Sequence, residues 1–518
     1  MQINNLYNFK NPVKNFLNIG NIEFSDDLSH LDINRLCWVE PFNFRVRKQG
    51  DQYRTLKMPN LLNFMSACAY YKDMPYFNNI QGMDRVHKRL SANIETGDFS
   101  SGEYDWQLEK DFENLCVYDN LIKLDVKEYY GRIYTHKIDF QGLEERYISN
   151  MNLGATNGLI MGNYLSLYFA ERYLACISKD IEVELNKANI DCDYTYFSDD
   201  FYFFCNVKDN EKIIHIFDKV LEKYELERSE RKKEVWTYES FNNHNLVARY
   251  WKKLIAHCNI RFKSDRDDNK LYFINQIVYR MSKLDDEKMK KVFINNIFKT
   301  KYFRELPLEK YQVKEYDYHQ LCFIMKYSPE SMLYLADRFS IMKKFDNQKM
   351  HKFFKVRYHE SLRSSFNDEQ LYYFYAIKLF GFEDIIGGEK EMVLKSNNQI
   401  LISYYLKDNI FTKDDLNYLK SLEDEKYWFQ NYHMIMYDMD MLVDLEDNIE
   451  KYLIPKKVLQ SLCNKPSKVA KRESYMNFYM KNLSTGKAII RDIEDVKTEI
   501  INYLELKIAE SEEVFEEG

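Results

Sequence analysis

Two regimes of hydrophobic patterning divide the chain. From about Met1 to Cys258, short β-like runs, a few glycines and helical segments alternate; from about Arg261 onward, apolar residues recur three and four apart. The later spacing draws one apolar stripe along a helix. "VFINNIF" (292–298), "ESMLYLADRFSIM" (330–342), "QLYYFYAIKLF" (370–380) and "KTEIINYLELKIA" (497–509) each predict such a helix. Ser328, Pro329 and Glu330 supply an N-cap, a proline at the first helical position and an early acid. No fixed repeat period emerges, so a helical solenoid is open without being required. The expected organisation is a mixed α+β domain over residues 1–258 and an all-α domain, HEAT-like if its helices repeat, over 259–518.

Within the first half, "YTYFSDDFYFFC" (194–205) has β-favouring aromatics on both sides of an aspartate pair. That pattern predicts strand, tight turn, strand, with Asp199 and Asp200 at the tip. The same tetrapeptide, FSDD, also occurs at 24–27, where Leu28, Leu31, Ile33 and Leu36 follow at near-helical spacing. There Ser25 reads as an N-cap, with Asp26 and Asp27 at the positive end of a helix dipole. Aspartate pairs occur five times in the chain, so the flanking pattern decides what each one does.

Upstream, "NLIKLDVKEYYGRIYTH" (120–136) sets Asp125 at the end of a short apolar run. If Asp125 and Asp199 converge from adjacent strands, two carboxylates about 4 Å apart repel by ~4 kcal/mol at an effective dielectric near 20. Such a site takes up protons or hard cations, and Mg²⁺ is the usual choice where phosphates are the substrate. Two such ions can activate an attacking oxygen and stabilise a leaving pyrophosphate. Between these aspartates, Gly154, Gly158 and Gly162 crowd a loop that opens a helix with Leu167, Ala170, Leu174, Ile177 and Ile181 on one face. Glycines there let a ligand approach the backbone closely, though such loops also serve ordinary chain reversal. Earlier still, "FRVRKQGDQYRTLKMPN" (44–60) carries Arg45, Arg47, Lys48, Arg54 and Lys57 against the single acid Asp51. This is a hairpin with cationic arms, suited to a triphosphate or simply solvated.

Composition narrows the classes. Glycine (15) and proline (8) are scarce, with no proline between Pro75 and Pro307 and no glycine between Gly162 and Gly381, which suits long helices. Nine dispersed cysteines without a CxxC argue against a disulfide framework or structural zinc and for a reducing compartment. No signal-peptide layout opens the chain and no apolar run reaches the ~18 residues of a membrane span, so a soluble cytoplasmic protein is expected. The net charge of −7 gives no argument for a nucleic-acid partner, which would have to come from a local patch.

Taken in order, these segments resemble the motifs of reverse transcriptases over roughly residues 40–255. "KQGDQYRTLKMP" resembles the fingers signature, "LDVKEYYGRIYTH" motif A, "NGLIMGNYLS" motif B, "YFSDDF" motif C and "LERSERKKE" (226–234) motif D. The resemblance implies palm and fingers, and a nucleotidyltransferase of the RNA-directed DNA polymerase kind. Asp125, Asp199 and Asp200 become the metal-binding triad for two Mg²⁺ (or Mn²⁺) ions. Lys48 and Arg54 become triphosphate contacts, with Gly158 and Gly162 in the nucleotide-binding loop. Tyr130 becomes the steric gate against a ribose 2′-hydroxyl, and Lys232 the acid for pyrophosphate departure.

Within that superfamily, "DVKEYYGRIYTH", "GNYLSLYFAE" and the long helical half resemble the bacterial abortive-infection (Abi) polymerases. This implies phage defence in a bacterial host, polymerisation of deoxynucleoside triphosphates without a template, and a homo-oligomer. It also implies priming by a tyrosine hydroxyl, so that the single-stranded DNA product ends up attached to protein. Two departures matter. Ile160-Met161 stand where motif B usually has Pro-Gln, which removes residues that seat a template–primer pair. Phe197 replaces the usual tyrosine of Y-x-D-D and leaves the carboxylates intact. The priming residue is not identified among 42 tyrosines; it needs an exposed or mobile segment, and Tyr7 near the N-terminus is the candidate taken forward. Competing readings are a template-dependent reverse transcriptase acting with a specific RNA, a metal-dependent nuclease, and a non-catalytic palm scaffold.

Overall fold

The computed structural model describes residues 6–7, 13–24, 31–48, 50–90, 101–245, 272–284, 286–306, 308, 315–342, 347–456 and 466–516. The helix start expected at Ser25 and the domain boundary expected at residue 258 both lie outside them. The chain parts into two compact units, each gathered from three stretches. One comprises Met1–Asn43, Leu56–Phe241 and Leu416–Ile490, the other Phe44–Thr55, Asn242–Asp415 and Arg491–Gly518.

A hairpin of β1 (Phe42–Arg47) and β2 (Tyr53–Met58) comes first, then helices α1 (Leu61–Tyr71) and α2 (Ser101–Val117). There follow β3 (Asn120–Asp125), α3 (Tyr164–Lys187), β4 (Cys192–Phe197), β5 (Asp200–Cys205), α4 (Asn210–Lys223) and β6 (Glu234–Trp236). In the first unit β4, β5, β3 and β6 form one antiparallel sheet in that order. Strand alternation sorts its side chains onto two faces. Ile122, Leu124, Tyr194, Tyr196, Phe201 and Phe203 are all buried on one, where Phe217 of α4 packs edge-on to Phe201 at 5.1 Å. On the other face, Leu121, Phe204 and Trp236 lie with Leu108, Phe112 and Leu115 of α2. Tyr202 packs against that cluster, and the same face also carries Lys123, Asp125 and Asp200 toward the far end of the sheet.

α3 follows the expected stripe: Ala170, Leu174, Ile177 and Ile181 are buried, Leu167 half-buried. Asn163 caps it by accepting the Ser166 N–H at 3.0 Å. Residues 416–490 complete this unit's core. Asn60 and Asn63 are buried and need partners. Asn60 donates to the Tyr479 hydroxyl (2.6 Å), and the Tyr475 hydroxyl donates to Asn63 (2.6 Å) while accepting the Cys37 N–H (3.1 Å).

In the second unit every described element beyond Tyr272 is helical, as the spacing predicts. Ser328 stands at the N-cap position before Pro329, but it makes no side-chain cap. Its hydroxyl instead donates to Asn295 at 3.0 Å, because a buried hydroxyl goes to the acceptor that packing provides. Helix α5 (Asn367–Phe380) takes up the open edge of β1: Asn367 accepts the Arg45 N–H at 2.8 Å and the Asp368 carboxylate accepts that of Arg47 at 3.2 Å. Side chains thus satisfy donors that a neighbouring strand would otherwise pair. No described helix is long and apolar enough to cross a membrane.

Candidate active site

The aromatic arms of "YTYFSDDFYFFC" form β4 and β5, joined by a two-residue loop, Ser198-Asp199, with Ser198 in the left-handed region at φ 53°. Antiparallel pairing of β3 with β5 sets Asp125 directly opposite Asp200. Just beyond, the Val126 N–H donates to the Asp199 carbonyl at 2.9 Å, so the loop is sewn to the end of β3. The segment after α4 runs along the other side of β3. Ser229 N–H donates to the Asp125 carbonyl (2.7 Å), and Val126 bridges antiparallel to Arg228. That course delivers Lys232, whose ammonium donates to Asp125 Oδ2 at 2.5 Å. On β3 itself, Lys123 makes an ion pair with Asp200 Oδ2 at 3.1 Å. Two carboxylates, Asp125 and Asp200, thus meet two ammonium groups at one end of the sheet, with Asp199 in the adjoining loop.

Asp125 is 3% exposed, and its Oδ1 is buried with no hydrogen-bond partner. Burial pushes its carboxyl above the usual range; the hydrogen bond from Lys232 opposes this, and the charge of Asp199 reinforces it. For Lys232, desolvation pulls downward, but the hydrogen bond and charge of Asp125, with Asp199 and Asp200, carry it above the ordinary lysine value. Both groups favour holding protons, as a site with a surplus of carboxylate should. Among the described residues, no three Asp, Glu, His or Cys side chains stand together as a ready metal cage. Asp125 and Asp200 are each turned onto a lysine instead. The donor set suits a hard cation, and the buried Oδ1 of Asp125, without a hydrogen-bond partner, leaves it a lone pair to accept.

Tyr129 and Tyr130 divide by environment. Tyr129 is buried with its hydroxyl donating to the Ala170 carbonyl of α3 at 2.6 Å, while Tyr130 is half-buried and edge-on to it at 5.8 Å. The glycine loop crosses this segment: Gly158 N–H donates to the Ile133 carbonyl (3.0 Å) and Leu159 N–H to that of Tyr130 (2.8 Å). Gly158 has φ +87°, and a Cβ there would lie 3.1 Å from the Gly131 carbonyl oxygen; Gly162, at φ +122°, would meet Leu56 at 3.3 Å. Contact between chain segments therefore accounts for both glycines.

Lys48 and Arg54, expected at the triphosphate, belong to the second unit. Lys48 is exposed and Arg54 half-buried. The neighbouring cations are engaged: Arg47 pairs with Glu369 at 2.9 Å, and Arg45 lies over the Tyr53 ring at 4.7 Å. Lys57, in the first unit, donates to Asn152 at 3.1 Å. Tyr7 does not meet the exposure expected of a priming residue. It is fully buried and donates its hydroxyl to the Pro59 carbonyl at 2.7 Å, because its ring is edge-on to Phe64 in the core.

Two supporting pairs escaped sequence reasoning. Residues 87–89 lie along the open edge of β4, with Tyr196 N–H donating to His87 (2.8 Å) and Arg89 N–H to Tyr196 (2.9 Å). Lys88 then makes a buried ion pair with Glu171 of α3, and Arg89 binds the buried Asp111 carboxylate with both guanidinium nitrogens. Both join segments far apart in the chain, which no local spacing signals. Lys123 was legible: it stands two residues before Asp125, hence on the same strand face.

No protein-family model and no curated protein matches this chain. A solved structure of telomerase from Candida albicans, in complex with a fragment of telomeric RNA, aligns with a TM-score of 0.30 and 12% identity. The alignment covers 77% of this chain and 65% of the telomerase chain. At that score the likeness carries no argument about fold or chemistry.

Proposed function

We propose that this protein is a nucleotidyltransferase that polymerises deoxynucleotides with two divalent ions, Mg²⁺ or Mn²⁺. The observation that carries the reading is the β3–β5 register, which sets Asp125 opposite Asp200 with Asp199 at the adjoining loop and Lys232 on Asp125. Asp125, Asp199 and Asp200 would hold the ions. When bound, such ions lower the pKa of an attacking hydroxyl and neutralise the departing pyrophosphate. Lys232, hydrogen-bonded to Asp125, would give a proton to that leaving group. Tyr130, five residues after Asp125, matches the gate position that favours deoxyribose. A scaffold has no use for three mutually repelling acids, and a nuclease leaves Tyr130 unexplained.

The finer reading rests on the motif resemblance: an abortive-infection polymerase, without a template, primed by a tyrosine hydroxyl and acting as an oligomer. Ile160-Met161 in place of Pro-Gln supports the template-free form. The test uses the full-length protein with labelled deoxynucleotides and Mg²⁺, without template or primer, beside Asp199→Ala. Label that survives denaturation and phenol extraction in the wild type, and is absent from the variant, is the expected result. Synthesis only when an RNA or DNA template is added would replace this reading with a template-dependent reverse transcriptase. No synthesis in either case would overturn the enzymatic reading in favour of a scaffold.

A further inference from the structure

We infer that Lys123 is an internal counter-ion, occupying a cation's place at Asp200 and moved aside when a divalent metal binds. This rests on the metal-binding reading of the three aspartates and adds a positioning residue to it. The register sets Lys123 directly opposite Tyr202 on β5 and Glu234 on β6, while Asp200 is its diagonal neighbour. Glu234 is exposed and closer along the ladder, and directly opposed side chains are the nearer pair in an antiparallel sheet. Yet the Lys123 ion pair is with Asp200, its ammonium lying 5.7 Å from the Tyr202 ring centre on the way. The aromatic face steers the stem, and the carboxylate surplus at the end of the sheet draws the charge.

The consequence is a pair of lysines with different tasks. Lys232 approaches from outside the strand to Asp125, whereas Lys123 is built into β3 and reaches the other carboxylate. Each holds one acid while no metal is present, so three negative charges are met by two positive ones and the sheet end can pack. Asp125 Oδ1 stays buried and unpartnered in that arrangement. A divalent ion recruited to that oxygen and to Asp200 competes with the Lys123 ammonium for the same carboxylate. Lys123 therefore stabilises the metal-free protein and weakens metal binding.

The test measures Mn²⁺ binding to metal-free, full-length protein by the loss of the free-ion electron paramagnetic resonance signal. The proteins are wild type, Lys123→Met, Lys123→Arg and Asp199→Ala, with thermal melts run with and without Mn²⁺. Asp199→Ala should lose binding. Lys123→Met should bind Mn²⁺ roughly three- to tenfold more tightly, a gain of ~0.7–1.4 kcal/mol. It should also melt earlier than wild type without metal and gain more on adding Mn²⁺, while Lys123→Arg stays close to wild type. Asp199-dependent binding that Lys123→Met leaves unchanged or weakens overturns the counter-ion role alone. Absence of any Asp199-dependent Mn²⁺ binding in the wild type overturns the metal reading, and the counter-ion role with it.

Discussion

The Lys88–Glu171 pair offers the most quantitative test of how the β4–β5 hairpin is held. Its side chains are 1% and 9% exposed, and it ties the segment along β4 to α3. The ammonium also lies 5.6 Å from the ring centre of Tyr196, two residues before the Ser198-Asp199 loop. Glu171→Gln leaves a lysine charge buried without a counter-charge. Breaking such a pair from one side costs about 3–5 kcal/mol, mostly the desolvation of the remaining ion. For a unit of this size, roughly 2 °C is lost per kcal/mol, so the melting temperature of the first unit should fall by about 6–10 °C. Lys88→Met with Glu171→Leu removes both charges and should recover most of that loss, since a buried pair is worth little against an apolar replacement. Calorimetry with the two units' transitions fitted separately supplies the assay, and wild type, Lys88→Met, Glu171→Leu and the double variant close a double-mutant cycle. The reasoning fails if Glu171→Gln costs less than about 1 kcal/mol, or if the double variant loses as much as the two single losses together.

Two further outcomes follow from particular residues. Burial, with Glu369 beside it, pushes the Asp368 carboxyl up from 3.8 to about 8. Over that window the folded protein holds a proton the unfolded chain has released, so the second unit loses stability as pH rises from about 4 to 8, by up to about 1.4 kcal/mol per pH unit, and levels off above. Asp368→Asn keeps an acceptor for the Arg47 N–H and should flatten that dependence in melts at pH 5, 6, 7 and 8; equal slopes in both proteins would refute the assignment. Gly158→Ala should destabilise the first unit by about 1–2 kcal/mol or more in urea unfolding, since its φ of +87° disfavours any Cβ and the Gly131 carbonyl stands 3.1 Å away. An unchanged midpoint would mean the loop yields more readily than the packing implies.

What the sequence determined by itself is what local alternation and spacing encode. Aromatics on both flanks sufficed for a hairpin with Asp199 in its turn, though Asp200 opens β5, and spacings of three and four sufficed for the described helices from Glu287 to Glu516. The positions of Asp125 at a strand end and of Lys123 on the same face were legible for the same reason, since side chains alternate along a strand. Partnership was not. Asp125 faces Asp200 because β3 pairs with β5 in one register, and a shift of one residue would turn the acid to the other face. Lys232 reaches Asp125 from 107 residues away, and Arg47 is drawn to Glu369 across 322. Tyr7, near the chain start and nominally free, is buried because its ring finds Phe64 and its hydroxyl finds Pro59. Burial and charge pairing are properties of surfaces brought together from distant stretches of chain. The sequence therefore supplied the acids and the turn, and only the tertiary structure decided which cations answer them.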